Sequence, residues 1–350
     1  MRTPAGPRPA YAHLGGRLAT GLLEVTDDVA ALDRAGWWAV VVTYEGRTVC
    51  ARFAAVRPAP PPSAVWPGII GGREAWASSM GRQAYESAVG ALRDRIAAGD
   101  VYQANLCRVL SAPLPPAADL AGLALALARG NPAPYAGAVH LPDHGIDVVS
   151  ASPELFLFRR GDLVESKPIK GTGRAAADLQ DKDAAENVMI VDLVRNDLGR
   201  VCEPGSIDVP ALLAVEEHPG LVHLVSTVRG RLRRGLGWAD LLAAAFPPGS
   251  VTGAPKSSAL RLIEELEAGP RGPYCGAVGW VDADAGEGDL AVAIRTFWAE
   301  GGELRFGTGA GITWGSEAAR EWDETELKAE LLVALASTPS RPAEAGTMVP

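Results

Sequence analysis

Strand-like apolar runs and amphipathic helical runs follow one another along this chain without a strict βαβ rhythm, and that mixture favours an α+β fold with large antiparallel sheets. Residues 37–42 and 49–53 read as strands around a Glu45–Gly46 turn. Further strands are expected at 101–110, 139–141, 146–150, 155–158, 162–166, 223–228, 276–281, 290–295 and 303–308. The first helix is expected over 78–98, where Tyr85, Val89, Leu92 and Ile96 share a face and Gly99–Asp100 stops it. Others are expected at 117–129, 177–200, 237–245, 255–267 and 316–336. The Pro-rich stretch 57–62 reads as a stiff, extended linker. It sets off an N-terminal region, 1–67, from one main domain, 68–337. Residues 1–12 and the tail 338–350 are expected to be disordered.

Apolar residues make up 47% of the 350 and charged residues 21%, enough to bury a sizeable core. The net charge is −9 with no basic block, which argues against nucleic acid or an anionic membrane as partner. No apolar run approaches the ~18 residues of a membrane span, and the N-terminus lacks the apolar centre of a secretory signal. Cys50, Cys107, Cys202 and Cys275 are scattered without a CxxC pair and read as reduced, mostly buried thiols of a cytoplasmic protein.

Lys170 stands between Pro168 and Gly171, directly after the strand-like run 162–166. Pro168 cannot donate to a ladder, so the strand should end or bend there. Gly171 permits a tight turn or a close approach to a ligand. Two acidic pairs stand out: Asp183 with Glu186, and Glu321 with Glu324, each three apart on a helix and so on one face. Two such pairs could together hold a hard divalent cation, and magnesium suits them. Gly307–Gly311 is a glycine-rich loop able to offer successive amides to an anion, and 249–256 is a second loop that opens a helix. Arg295 suits a bidentate carboxylate, and His223 suits a general acid. These residues imply a small substrate with carboxylates, a magnesium ion and a lysine nucleophile.

Nine segments then carry a likeness to a known family: SASPELF (150–156), KPIKGTGR (167–174), DAAENVMIVDLVRNDLGRVC (183–202), HLVSTVRG (223–230), FPPGSVTGAPKSSAL (246–260), YCGAVGW (274–280), AIRTF (293–297), GTGAGIT (307–313) and EWDETELKAE (321–330). Together they resemble the chorismate-utilising enzymes over residues 70–337, in order and with family spacing. The family includes anthranilate, aminodeoxychorismate, isochorismate and salicylate synthases. The resemblance implies two large antiparallel sheets packed with helices around a central cleft. Lys170 matches the aminodeoxychorismate-forming members, where anthranilate-forming ones carry alanine. Gln103 matches the ammonia-using members, where water-adding ones carry a lysine base.

By the same likeness, magnesium on Glu186 and Glu324 grips the ring carboxylate of chorismate, with Asp183 and Glu321 beside them. Lys170 attacks ring carbon 2 and expels the hydroxyl, and ammonia then displaces it at carbon 4. A free lysine has a pKa near 10.4, so only roughly one in a few thousand is neutral at pH 7 and the site should depress it. Glu154 matches the family's acid/base carboxylate, and His223 lies near the leaving hydroxyl. Tyr274 and Arg295 match positions that hold the pyruvyl carboxylate. Gly309, Ala310 and Gly311 match a carboxylate-binding loop, with Thr172, Thr252 and Gly253 nearby, and Lys328 sits beside the acidic pair. GTGR replaces the commoner GTRPR, and FPPGS replaces FPGGS, so that Pro248 stiffens a turn. The short N-terminal region argues against control by tryptophan. Cys275 lacks the elbow of a glutaminase nucleophile, so ammonia is expected from a separate glutamine amidotransferase subunit or from solution.

Overall fold

The computed structural model describes residues 8–116, 118–173, 175–179, 181–218 and 221–340. In chain order its strands are β1 (Tyr11–Leu14), β2 (Arg17–Thr26), β3 (Trp37–Val42), β4 (Thr48–Pro58), β5 (Ala77–Ser78), β6 (Gln103–Pro113), β7 (Tyr135–Leu141), β8 (Ile146–Ser152) and β9 (Leu155–Arg160). They continue with β10 (Leu163–Lys167), β11 (Ile169–Gly173), β12 (Asp208–His218), β13 (Leu221–Arg231), β14 (Gly253–Ala254), β15 (Ala277–Asp282), β16 (Glu287–Val292), β17 (Thr296–Glu300) and β18 (Glu303–Ile312). The helices are α1 (Arg82–Ala97), α2 (Leu120–Gly130), α3 (Asp181–Gly199), α4 (Trp238–Ala245), α5 (Lys256–Leu266) and α6 (Ala318–Ser337).

Antiparallel pairing builds two large half-sheets. One runs β12–β13–β10–β9–β16–β15–β3–β4. The other runs β1–β7–β8–β17–β18–β6. β2 pairs with β1 on one edge and β4 on the other, joining the halves into one hydrogen-bonded network. β11 extends the first half along β13, while β5 and β14 cap β6 in the second. The mixture of helices with antiparallel sheet is the α+β architecture expected.

Helices cover each half because their apolar residues recur at helical spacing. Ile190, Val191, Val194 and Leu198 of α3, with Trp238 and Leu241 of α4, pack on Trp38, Leu157 and Val228. Leu120, Leu123 and Leu127 of α2 and Leu332 and Val333 of α6 pack on Val149, Phe297 and Phe306. Tyr85, Val89 and Leu92 of α1 join Leu262 of α5 over Leu106. Each such large apolar side chain contributes about 1.5–3 kcal/mol by burial.

The N-terminal segment differs from expectation. Tyr11 and Ala12 are buried in β1, which is held between β2 and β7, so order begins before residue 13. Residues 1–7 lie outside the described residues. The Pro-rich stretch divides the chain in sequence but not in the sheet, because β3 inserts between β4 and β15. All six residues of β3 are buried, which explains its unbroken apolar run. At the other end, Ser340 N–H donates to Trp66 O and Ser340 Oγ accepts from Trp66 N, so the tail is anchored as far as that residue. Among the described residues, no helix is long and apolar enough to cross a membrane.

Candidate active site

Lys170 lies in a strand rather than in a tight turn. After Pro168 the chain resumes pairing with β13, and Lys170 faces Leu224 across the ladder. The register then slips at Gly171, whose φ of 76° is the left-handed value that favours glycine. A Cβ there would come 2.8 Å from Asp183 Cβ, so this bulge rests on the first turn of α3. The Lys170 side chain is 13% exposed, with Nζ 3.7 Å from Glu186 Oε2. Nζ also donates to Ser250 O at 3.3 Å.

The same serine faces Glu154. Its hydroxyl bonds the Glu154 carboxyl, as does the Ile169 N–H. Glu154 sits between β8 and β9, where its carbonyl accepts from Val292 N at 3.0 Å and its own N–H donates to Ser152 Oγ at 3.2 Å. It is 3% exposed. Burial pushes its carboxyl up to about 7, against the opposing pull of Ser250, Lys170 and Ile169. A carboxyl with that value changes protonation near neutrality, as an acid/base group must.

The two acidic helices meet beside Lys170. Lys182 Nζ lies 3.7 Å from Glu186 Oε1 on α3 and 3.4 Å from Glu321 Oε1 on α6. Lys328 Nζ pairs with Glu324 Oε1 at 2.6 Å and donates to Gly309 O at 3.0 Å. Burial pushes the Glu321 carboxyl up, opposed by the Ser316 hydroxyl and Lys182. Among the described residues its Oε2 is buried with no hydrogen-bond partner. Among the described residues no three acidic, histidine or cysteine side chains form a ready ligand set; the carboxylates pair instead with lysines, Glu186 with Lys170 and Lys182, Glu321 with Lys182, and Glu324 with Lys328. The donors are nevertheless hard oxygens, and the unpartnered Glu321 oxygen fits a divalent cation of the magnesium class.

Arg295 lies between β16 and β17 in a left-handed conformation, φ 52°. Burial lowers its pKa, and among the described residues it has no carboxylate partner. An unbalanced, half-buried guanidinium favours an incoming carboxylate. Gly309, Ala310 and Gly311 belong to β18 rather than to a loop. β17 pairs β18 only as far as Phe306, so among the described residues this segment is laddered to β6 alone and no strand pairs its other edge. Gly311 leaves room for the Gln103 carboxamide, whose Oε1 and Nε2 are both buried without partners.

Other expected residues stand less openly. The Tyr274 hydroxyl accepts from Cys107 Sγ at 3.9 Å, in a buried group with Arg271 and Cys275, and does not pair with Arg295. Its ring packs over Gly307. The Thr252 hydroxyl is spent on the Pro248 carbonyl at 3.0 Å. His223 is buried in β13, where it faces Thr172 on β11 and Glu216 on β12. The Thr172 side chain lies outside the described residues. Gly253 has φ 150°, and a Cβ on it would strike the Gln103 carbonyl. Gly253→Ala should therefore cost about 3 kcal/mol, read as a clear fall in Tm.

The half-sheets meet at Ser250. Its carbonyl accepts from Lys170 of one half and, at 3.1 Å, from Asn105 Nδ2 of the other. A lysine, a neutral-range carboxyl and two carboxylate-bearing helices thus converge at the seam. The sequence profile described as chorismate binding enzyme matches residues 70–334. The chain belongs to that family.

Two curated relatives show how similar its members are. The chain is 43% identical over 264 residues to aminodeoxychorismate synthase component 1 of Klebsiella aerogenes, a match covering 72% of this chain and 57% of that protein. It is 41% identical over 268 residues to an anthranilate synthase component 1 of Haloarcula marismortui, covering 73% and 54%. The match thus spans little more than half the length of these relatives. The crystal structure of anthranilate synthase component I from Streptococcus pneumoniae has the same fold, with a TM-score of 0.78 at 24% identity over 95% of this chain and 94% of that one. Within this family site, Lys182, Ser250 and Asn105 carry contacts that no motif reading singled out. Lys182 left a signal, four residues before Glu186 on the helix, and Ser250 lies within the segment 246–260; Asn105 left none.

Proposed function

We propose that this chorismate-binding enzyme is an aminodeoxychorismate synthase component I, converting chorismate and ammonia to 4-amino-4-deoxychorismate. The observation that carries this reading is Ser250 between an amine and an acid, its carbonyl on Lys170 and its hydroxyl on Glu154. Lys170 Nζ, once neutral, forms a bond to ring carbon 2. Both ring double bonds shift by one position and the bond from carbon 4 to its hydroxyl breaks, with His223 supplying the proton that lets water leave. Glu154 takes the proton that Lys170 sheds. Ammonia then bonds to carbon 4, both double bonds shift back, and Lys170 leaves with a proton returned by Glu154. Arg295 orients the pyruvyl carboxylate, and the Gly309–Gly311 segment of β18 flanks it. When bound, magnesium supplies positive charge for the ring carboxylate, and Glu186 and Glu324 would hold it, with Asp183 and Glu321 beside them. The "component 1" in the relatives' names supports a separate glutamine amidotransferase as the ammonia source.

Chorismate, Mg²⁺ and ammonium incubated with the protein, followed by aminodeoxychorismate lyase, should yield 4-aminobenzoate. Anthranilate as the product would instead assign the chain to the anthranilate-forming branch, to which it is equally similar.

A further inference from the structure

Three lysines and three glutamates interleave where α3 meets α6, and the lysines are not held alike. Lys170 is tied to Ser250 O as well as to Glu186. Lys328 is tied to Gly309 O as well as to Glu324. Among the described residues Lys182 reaches only carboxylates, Glu186 on its own helix and Glu321 on the other. It stands in the first turn of α3 and is 44% exposed, so its flexible stem can swing into solvent without breaking a backbone contact. Glu321, by contrast, is 4% exposed and keeps one oxygen unpartnered. Leaving a buried acceptor unsatisfied is costly, so this arrangement suits a ligand richer in charge than one ammonium.

We propose that Lys182 is a built-in counter-ion bridging α3 and α6, which a divalent cation must displace in order to bind there. The bridge offsets part of the repulsion between two carboxylates that face each other across the seam. A divalent ion entering the same place substitutes two positive charges for one and offers Glu321 Oε2 a partner. Lys182 thereby weakens cation binding to the protein alone and keeps the two helices together when no cation is present. The proposal rests on reading these acidic helices as a cation site.

Calorimetric titration of the full chain with Mg²⁺ alone, without substrate, tests it. Lys182→Met should bind Mg²⁺ about tenfold more tightly than wild type, because the competitor is gone. Lys182→Arg keeps the charge and should bind no more tightly than wild type. In EDTA, Lys182→Met should melt below wild type, and Mg²⁺ should raise its Tm by more. Equal or weaker Mg²⁺ binding by Lys182→Met overturns the displacement but leaves the cation site standing. Absence of Mg²⁺ binding in every form overturns both.

Discussion

Lys170→Ala should reduce 4-amino-4-deoxychorismate formation by about 10³-fold or more while leaving the fold intact. The loss follows from position. Nζ is the amine beside Glu154's serine, and among the described residues no other lysine is hydrogen-bonded to that serine. Lys170→Arg should not restore activity, since a guanidinium stays protonated and cannot act as a nucleophile. Intact-protein mass spectrometry of wild type with chorismate and no ammonia should show an adduct, and the alanine variant should show none. Turnover unchanged in Lys170→Ala would rule out the covalent route. Because Lys170 is tucked along β11 rather than in the core, circular dichroism should show both variants folded.

Glu154→Gln is the second large effect. Loss of an acid/base group should lower kcat by about 10²–10⁴-fold. It should also remove the limb near pH 7 from the pH profile, since the Glu154 carboxyl is pushed up to about 7 by burial. Stability should respond with a definite sign. The folded value lies above the ordinary 4.5, so between the two the folded chain keeps a proton that the unfolded chain has released. That contribution is complete below the ordinary value and is lost as pH rises through about 7. Glutamine cannot ionise, so the variant's Tm should gain on wild type as pH rises through that window. Parallel Tm curves for the two proteins would show that Glu154 titrates normally.

Local patterns revealed elements whose burial is written in their own residues. Tyr85, Val89 and Leu92 announce α1, and the apolar run at Trp37–Val42 announces β3. β12 was hidden because Pro210 and the neighbouring Glu216 and Glu217 spoil the alternation, and its pairing with β13 slips register twice. β11 misled for a related reason. Pro168 and Gly171 are turn residues, but a partner strand some 50 positions later keeps the segment in the ladder. The site followed the same division. Lys170, Glu154, Glu186 and Glu321 stand in motifs, and the fold brings them together. Ser250 meets Lys170 and Asn105 through its backbone carbonyl, a group every residue carries, and only tertiary proximity gives that carbonyl and the Asn105 amide a role. The Tyr274 hydroxyl, expected at the substrate, accepts from the buried Cys107 thiol, a neighbour far away in sequence.

The insertion of β3 between β4 and β15 bears on how the chain is made. Six consecutive buried residues, Trp37–Val42, have one partner strand close behind them, but the other lies near the far end of the message. Trp66 likewise waits for Ala336, 270 residues later, to accept its indole N–H. At about 5–20 residues per second, that wait is on the order of tens of seconds of translation. Throughout it the nascent chain presents an apolar strand with an open edge, the kind of surface that holding chaperones bind and that aggregates when they are scarce.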